Sequence, residues 1–169
     1  MTGEAWDPLK ALRTLDRHGV RFVVIGGLAA RLHGSPSVTN DTDICYERSH
    51  ENLEHLAKAL RSMRATLRGA EEVPFRLDGA ALQAGDHFTF TTSAGNLDCL
   101  GTPAGAGDFD GLWSRSSVFD LDGLSVRVAS IDDLIEMKRA AGRPKDLIEV
   151  EVLSALKDEL EDRRRTEQT

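Results

Sequence analysis

The sequence predicts an α/β (α+β) domain, a mixed sheet flanked by helices with a helical C-terminal end. Three observations predict it: short β-branched runs alternate with leucine-periodic segments, two hairpin signals fall between residues 87 and 129, and the chain from Ser130 onward reads almost wholly as helix.

The elements follow in order. Asp7-Pro8 is a cap followed by a first-turn proline, Leu9, Leu12 and Leu15 recur at helical spacing, and Gly19 closes the helix. Arg21–Ile25 is a β-branched strand, and Gly26-Gly27 opens a short helix, LAARLHG, that Gly34 and Pro36 end. Thr42–Tyr46 is the next strand. Leu53, Leu56, Leu60 and Met63 mark a helix from about Ser49 to Met63. Val73–Leu77 is weakly strand-like. His87–Thr92 alternates, turns at Ser93-Ala94-Gly95 and returns through Leu97–Leu100. Thr102–Asp110, rich in Gly and Ala, reads as a loop. Asp122-Gly123 joins Val118–Leu121 to Leu124–Ala129 as a second hairpin. Ser130 with Asp133 forms a capping box for the helix SIDDLIEMKRAAG, stopped by Gly142 and Pro144. A last helix from about Lys145 carries Leu147, Ile148, Val152, Leu153, Leu156 and Leu160. The expectation is one domain over residues 1–160, with a core of about 20–130, a helical part of about 130–160 and a disordered polar tail, 161–169.

Composition narrows the class. Twenty-one Lys and Arg stand against 28 Asp and Glu, a formal net charge of -7, which argues against non-specific nucleic-acid binding but leaves room for a local basic cluster. The 40% hydrophobic content is that of a soluble globular chain, long enough to bury a core without disulfides or metals. Cys45 and Cys99 have no metal-type spacing. MTGEAWDPLK has no charged-then-apolar leader, and no apolar run approaches a membrane span, so a cytoplasmic protein with reduced thiols and no membrane association is expected.

The chemistry concentrates in VVIGGLAARLHGSPSVTNDTDIC, residues 23–45. Strand residues two apart share a face, so Asp41 and Asp43 project together while Ile44 turns toward the core. Two carboxylates on one face repel each other, and a hard divalent cation such as Mg²⁺ relieves that, taking oxygen ligands and keeping waters beside substrate phosphates. Asn40-Asp41-Thr42-Asp43 is also good turn chemistry, which is the plainer account. Gly26-Gly27, at a strand-to-helix turn, leaves backbone N–H groups open to an anion, although glycines also serve packing there. Neither a Walker loop nor a dinucleotide fingerprint follows.

Gly-Gly, a thirteen-residue gap (Leu28–Asn40) and then D-x-D on a strand resemble the signature of the nucleotidyltransferase superfamily with a polymerase-beta-like core. The wider context, GGLAARLHGSPSVTNDTDIC with ENLEHLAKAL and VRVASIDDLIEMKRAAGRPKDL, is similar to its small bacterial branch of AbiEii-like toxins and stand-alone enzymes. The resemblance covers most of residues 1–153 and is weaker over 64–95. It implies a nucleotidyltransferase-type mixed sheet, an NTP substrate, Mg²⁺ or Mn²⁺, and a third acid on a neighbouring strand. That acid is Asp98 in GNLDCLG, an apolar strand where a lone carboxylate is costly unless paired or ligated, the plainer account being an edge-strand acid facing water. Asp86, Asp108 and Asp110 are rivals in expected loops. With Asp98 on the site face, Cys99 points away from it and Cys45 toward it, so a Cys45–Cys99 disulfide is disfavoured.

The cations Lys138, Arg139, Arg143 and Lys145 complement a helix C-terminus in any protein. In the branch resembled, a lysine here and a basic-acidic turn after it border the active site. Lys138 matches the lysine, Arg143 and Lys145 the basic turn, and Asp146 the acid. The resemblance thus implies catalytic and metal-binding Asp41, Asp43 and Asp98, and phosphate- or acceptor-binding Gly26, Gly27, Lys138, Arg143 and Lys145. His33, His87, Trp6 and Trp113 receive no catalytic role. Ser is commoner than Gly27 at its position, so one hydroxyl contact to phosphate is missing.

The expected activity is transfer of an NMP from an NTP to an RNA, protein or small-molecule acceptor, with a toxin role and a cognate antitoxin among the implications. A catalytically inactive member that binds a nucleotide or a partner protein is the alternative. A D-x-D glycosyltransferase is disfavoured, since 169 residues leave little room for two lobes. The acceptor is not chosen by the sequence.

Overall fold

The computed structural model describes residues 5–169; residues 1–4, part of the segment expected to carry no leader, lie outside the described residues. The chain runs α1 (Pro8–Arg17), β1 (Phe22–Ile25), α2 (Gly26–His33), β2 (Asp41–Tyr46), α3 (His50–Ser62), β3 (Thr66–Leu67), α4 (Gly79–Gln83), β4 (His87–Thr92), β5 (Gly95–Leu100), α5 (Phe109–Arg115), β6 (Ser117–Leu121), β7 (Leu124–Val128), α6 (Ile131–Ala141) and α7 (Pro144–Glu167). The strands form one mixed sheet in the order β3-β4-β5-β2-β1-β7-β6. This is the expected α/β class.

Local chemistry explains the boundaries. Asp7 accepts the Lys10 N–H at 3.0 Å ahead of Pro8, and Ser49 accepts the Asn52 N–H at 3.3 Å. Ser130 accepts the Asp133 N–H while donating its hydroxyl to that carboxylate. Gly34 and Gly142 close α2 and α6 in the left-handed conformation. β1 sits centrally, antiparallel to β2 and parallel to β7, and all four of its residues are buried. A strand covered on both faces reads as a continuous apolar run for that reason. Helices α1, α3 and α4 pack in series, and α2, α6 and α7 form a second series. Leu12, Leu15, Leu53, Leu56 and Leu60 fill the core. Both cysteines are free and buried.

Several expectations are corrected. Val73–Leu77 is not a strand; Val73 is 59% exposed, and the Phe75 ring packs on those of Phe88 and Phe90. The edge strand there is instead β3, two residues long. Helices α4 and α5 are too short for periodicity to reveal, and each is set by an aspartate cap, Asp78 on the Ala81 N–H and Asp108 on the Gly111 N–H, both at 2.8 Å. α5 thus begins inside the expected loop. Leu147 and Ile148 are 51% and 64% exposed, because α7 faces the core through Val150 and Leu153. Where a disordered tail is expected, α7 continues to Glu167, carried by the exposed pairs Glu159–Arg163 and Asp162–Arg165 at helical spacing. No helix of the described residues is long and apolar enough to cross a membrane.

Candidate active site

The site forms where β1 ends. At Gly26 the backbone takes φ +67° and enters α2. A Cβ added there would lie 2.2 Å from Asp43 Oδ2, so glycine is required both by its conformation and by the carboxylate beside it. A Cβ at Gly27 would lie 2.9 Å from Thr39 Cβ and Oγ1. The Thr39 side chain thus occupies the space a residue-27 side chain needs, and brings its own hydroxyl close to the turn.

Sheet register gathers the acids. β2 runs parallel to β5 with Asp43 paired to Asp98 and Asp41 to Asn96, whose amide donates to Asp41 Oδ1 at 3.1 Å. Antiparallel pairing sets Ile25 beside Asp43 on one side and Thr89 beside Asp98 on the other. Paired residues share a face, so Asp43 and Asp98 stand together and Asp41 stands one step along. Asp43 Oδ1 is buried and has no hydrogen-bond partner among the described residues. Burial first, then the charges of Asp98 and Asp41, push the Asp43 carboxyl up to about 7, with Lys138 opposing. Asp98 Oδ1 accepts from Arg68 Nη2 at 2.7 Å.

The opposite wall comes from the α6–α7 corner. Lys138 Nζ lies 3.5 Å from Asp146 Oδ1, and Arg143 closes on the same carboxylate through its guanidinium and its backbone N–H. Asp146 is fully buried, and the Arg143 side chain, with help from Lys138, holds it down at about 2. The Asp41, Asp43 and Asp98 face, the Gly26-Gly27 turn, and Lys138, Arg143 and Lys145 all line one cavity of about 760 Å³. The structure therefore brings all eight sequence-predicted residues together. Arg143 differs in detail, since its guanidinium is engaged with Asp146 rather than turned wholly to the cavity.

Residues outside the prediction complete the site. Arg68, Thr39, Asn96 and Glu149 touch its carboxylates or its walls; Glu149 accepts from the Ser37 hydroxyl at 2.8 Å. None carries a local motif, and only register or chain return reveals them. His87 lines the cavity, whereas His33 is structural, bonded to the Ala129 carbonyl at 2.7 Å with its edge on Phe119. Asp86 is held by Arg48 and Thr102, Asp108 caps α5, and Asp110 is exposed near Arg21, so none rivals Asp98. Trp113 packs under Arg21 and Arg127, and Trp6 donates to Thr42.

A buried carboxylate oxygen without a donor, flanked by two further carboxylates, suits a hard cation with oxygen ligands. Among the described residues no set of three His, Cys, Asp or Glu side chains stands in ligand geometry, and Asp98 is paired with Arg68 at 2.7 Å.

No family model matches the chain, and no curated protein matches it. Solved structures do. The aminoglycoside nucleotidyltransferase ANT(2″)-Ia, in complex with adenylyl-2″-tobramycin, aligns over 92% of this chain and 95% of its own with a TM-score of 0.52 at 17% identity. The same antibiotic-resistance factor in solution aligns over 95% and 92%, with a TM-score of 0.50 at 15% identity. A Thermotoga maritima protein described as a candidate nucleotidyltransferase aligns over 91% and 90% at 16% identity, with a TM-score of 0.48. The likeness to ANT(2″)-Ia runs nearly end to end on both chains, and it establishes that this chain has the nucleotidyltransferase fold.

Proposed function

We propose that the protein is a metal-dependent nucleotidyltransferase of the AbiEii-like branch, moving an NMP from an NTP to an acceptor and acting in the cytoplasm. One observation carries the reading: Asp43, with an unpartnered buried oxygen, is in register with Asp98 and on the face of Asp41, directly beside the Gly26 turn. Asp41 and Asp43 would hold the Mg²⁺ or Mn²⁺ that serves the triphosphate, and with Asp98 a second ion. Bound there, the ions supply charge neutralisation of the phosphates and a lowered pKa for the acceptor hydroxyl.

The chain's own groups do the rest. Backbone N–H groups at Gly26 and Gly27, with the Thr39 hydroxyl near the turn, receive the terminal phosphates. Lys138, oriented by Asp146, balances charge on the leaving pyrophosphate. The acceptor oxygen attacks the α-phosphorus, the bond to the bridging oxygen of the β-phosphate breaks, and the hydroxyl proton passes to Asp98. Among RNA, protein and small-molecule acceptors, the size of the cavity, about 760 Å³, and the adenylylated tobramycin held by ANT(2″)-Ia favour a small molecule. A toxin role with a cognate antitoxin rests on the sequence resemblance alone. The engagement of Asp98 by Arg68 favours the second reading, an inactive nucleotide-binding regulator.

A thermal shift with each NTP, with and without Mg²⁺ or Mn²⁺, tests the site. Ligand at a hundred times its dissociation constant stabilises the folded state by about 2.7 kcal/mol. The expected result is a metal-dependent rise in Tm that Asp43→Ala abolishes, with pyrophosphate release once an acceptor is supplied. A flat Tm with every NTP at millimolar concentration rules the reading out. Binding without pyrophosphate release across acceptor classes selects the regulator.

A further inference from the structure

We propose that Arg68 is a resident counter-cation of the third carboxylate and must leave Asp98 before a divalent cation binds there, an inference that rests on the nucleotidyltransferase reading above. Arg68 extends a row that crosses the sheet. Leu67 pairs with Phe90, and the Arg68 N–H donates to the Thr89 carbonyl at 2.9 Å, so the side chain follows Thr89, Asp98 and Asp43 in line. Its Nη2 donates to the Phe90 carbonyl at 2.9 Å and to Asp98 Oδ1 at 2.7 Å. A guanidinium there offsets one charge of a three-acid cluster that otherwise faces Lys138.

The pairing is incomplete at both ends. Among the described residues, the buried side-chain polar atoms without a partner are Arg68 Nε and Asp43 Oδ1. Outward movement of Arg68 resolves the first, and a cation that then binds beside Asp98 resolves the second. When the guanidinium swings outward, Nε reaches water, and oxygens of Asp98 and Asp43 become available together on one face. The carrier of Arg68 lets go easily: β3 is a two-residue edge strand, followed by Gly69 at φ +80° with open space about its Cα and by a stretch whose Val73 is 59% exposed. The Arg68 side chain is itself 30% exposed, so its path to solvent is short. Arg68 is therefore a positioning residue that acts through Asp98. It keeps the metal-free acids tolerable and makes their use by an ion competitive.

Mn²⁺ titration of the full chain without nucleotide, read by the paramagnetic resonance of free Mn²⁺, tests this. Arg68→Gln is expected to bind Mn²⁺ about tenfold tighter than wild type, since a positive charge beside a divalent ion in a partly buried site is removed. Arg68→Lys, which keeps the charge, stays near wild type. Equal or weaker binding by a folded Arg68→Gln overturns the proposal and makes Arg68 a clamp that orients Asp98. The wild-type chain supplies a second readout, the Arg68 Nε–Hε signal in nitrogen-15 spectra. It is expected to be protected from water without metal and to exchange once Mg²⁺ saturates; an unchanged signal at saturation overturns the proposal. Failure of every protein to bind Mn²⁺ removes the nucleotidyltransferase reading as well, whereas wild-type binding with no gain in Arg68→Gln removes this inference alone.

Discussion

Asp43 carries a charge that the folded protein resists. Burial and the neighbouring Asp98 and Asp41 raise its carboxyl to about 7, so the folded state holds a proton that the unfolded chain has already released. The sign follows: metal-free stability is full below the ordinary carboxylate range and is lost as pH rises through about 7. Melting curves recorded with a chelator are expected to show this decline, and Mg²⁺ to reverse it. Asp43→Asn flattens the slope and melts above wild type at about pH 8. A second prediction concerns the glycine that departs from the commoner serine. Because a Cβ at residue 27 would approach Thr39 to 2.9 Å, Gly27→Ser is expected to destabilise by about 1–3 kcal/mol. Thr39→Ala in the same chain should recover most of that loss. A double-mutant cycle by chemical denaturation measures the coupling. Additive losses would show that the two side chains do not share one space.

Among the elements, the corner between α6 and α7 deserves the closest test, because it turns a run of cations into a wall of the cavity. Gly142 at φ +67° ends one helix, Pro144 starts the next, and Asp146 reaches back to cap Arg143 and meet Lys138. The carboxylate is fully buried, while Lys138 and Arg143 keep 27% and 58% of their side chains exposed. Removing Asp146 therefore leaves cations that can still reach water. Asp146→Ala is expected to cost about 2–3 kcal/mol, less than a fully buried pair would. Lys138, no longer held, should also lose NTP affinity. Denaturant midpoints and nucleotide titrations on the same samples measure the two effects. Unchanged affinity with reduced stability would confine Asp146 to a capping role.

At the scale of the molecule, the sheet sets the site at its middle strands and leaves the last turns of α7 exposed on the outside. Residues 161–169 are all exposed and, among the described residues, pair only within their own helix. Deleting them is expected to shift Tm by no more than about 2 °C by calorimetry, because surface changes away from the core stay small. A larger drop would mean that the end of α7 supports the fold. Elements with strong local signals were legible in the sequence: the proline-started α1, the β-branched β1, the leucine-periodic α3, both hairpins, and the glycine-closed α2 and α6. Short elements were not. β3, α4 and α5 hold two to seven residues, below the length at which periodicity accumulates, and they depend on neighbours for their shape. The candidate site divides along the same line. Asp41, Asp43 and the glycine turn lie within one short stretch and can be read from spacing, whereas the third acid is implied by the resemblance and is placed at Asp98 because that acid lies in an apolar strand. By itself the sequence thus determined the fold class, the acidic pair and the basic corner, because each is written in residues close along the chain. Only the tertiary structure decided that Asp43 and Asp98 are in register, that Thr39 fills the space beside Gly27, and that Arg68 rests on the third carboxylate. Those are contacts between distant segments, set by strand pairing and side-chain packing, and a linear pattern carries no record of which strand lies beside which.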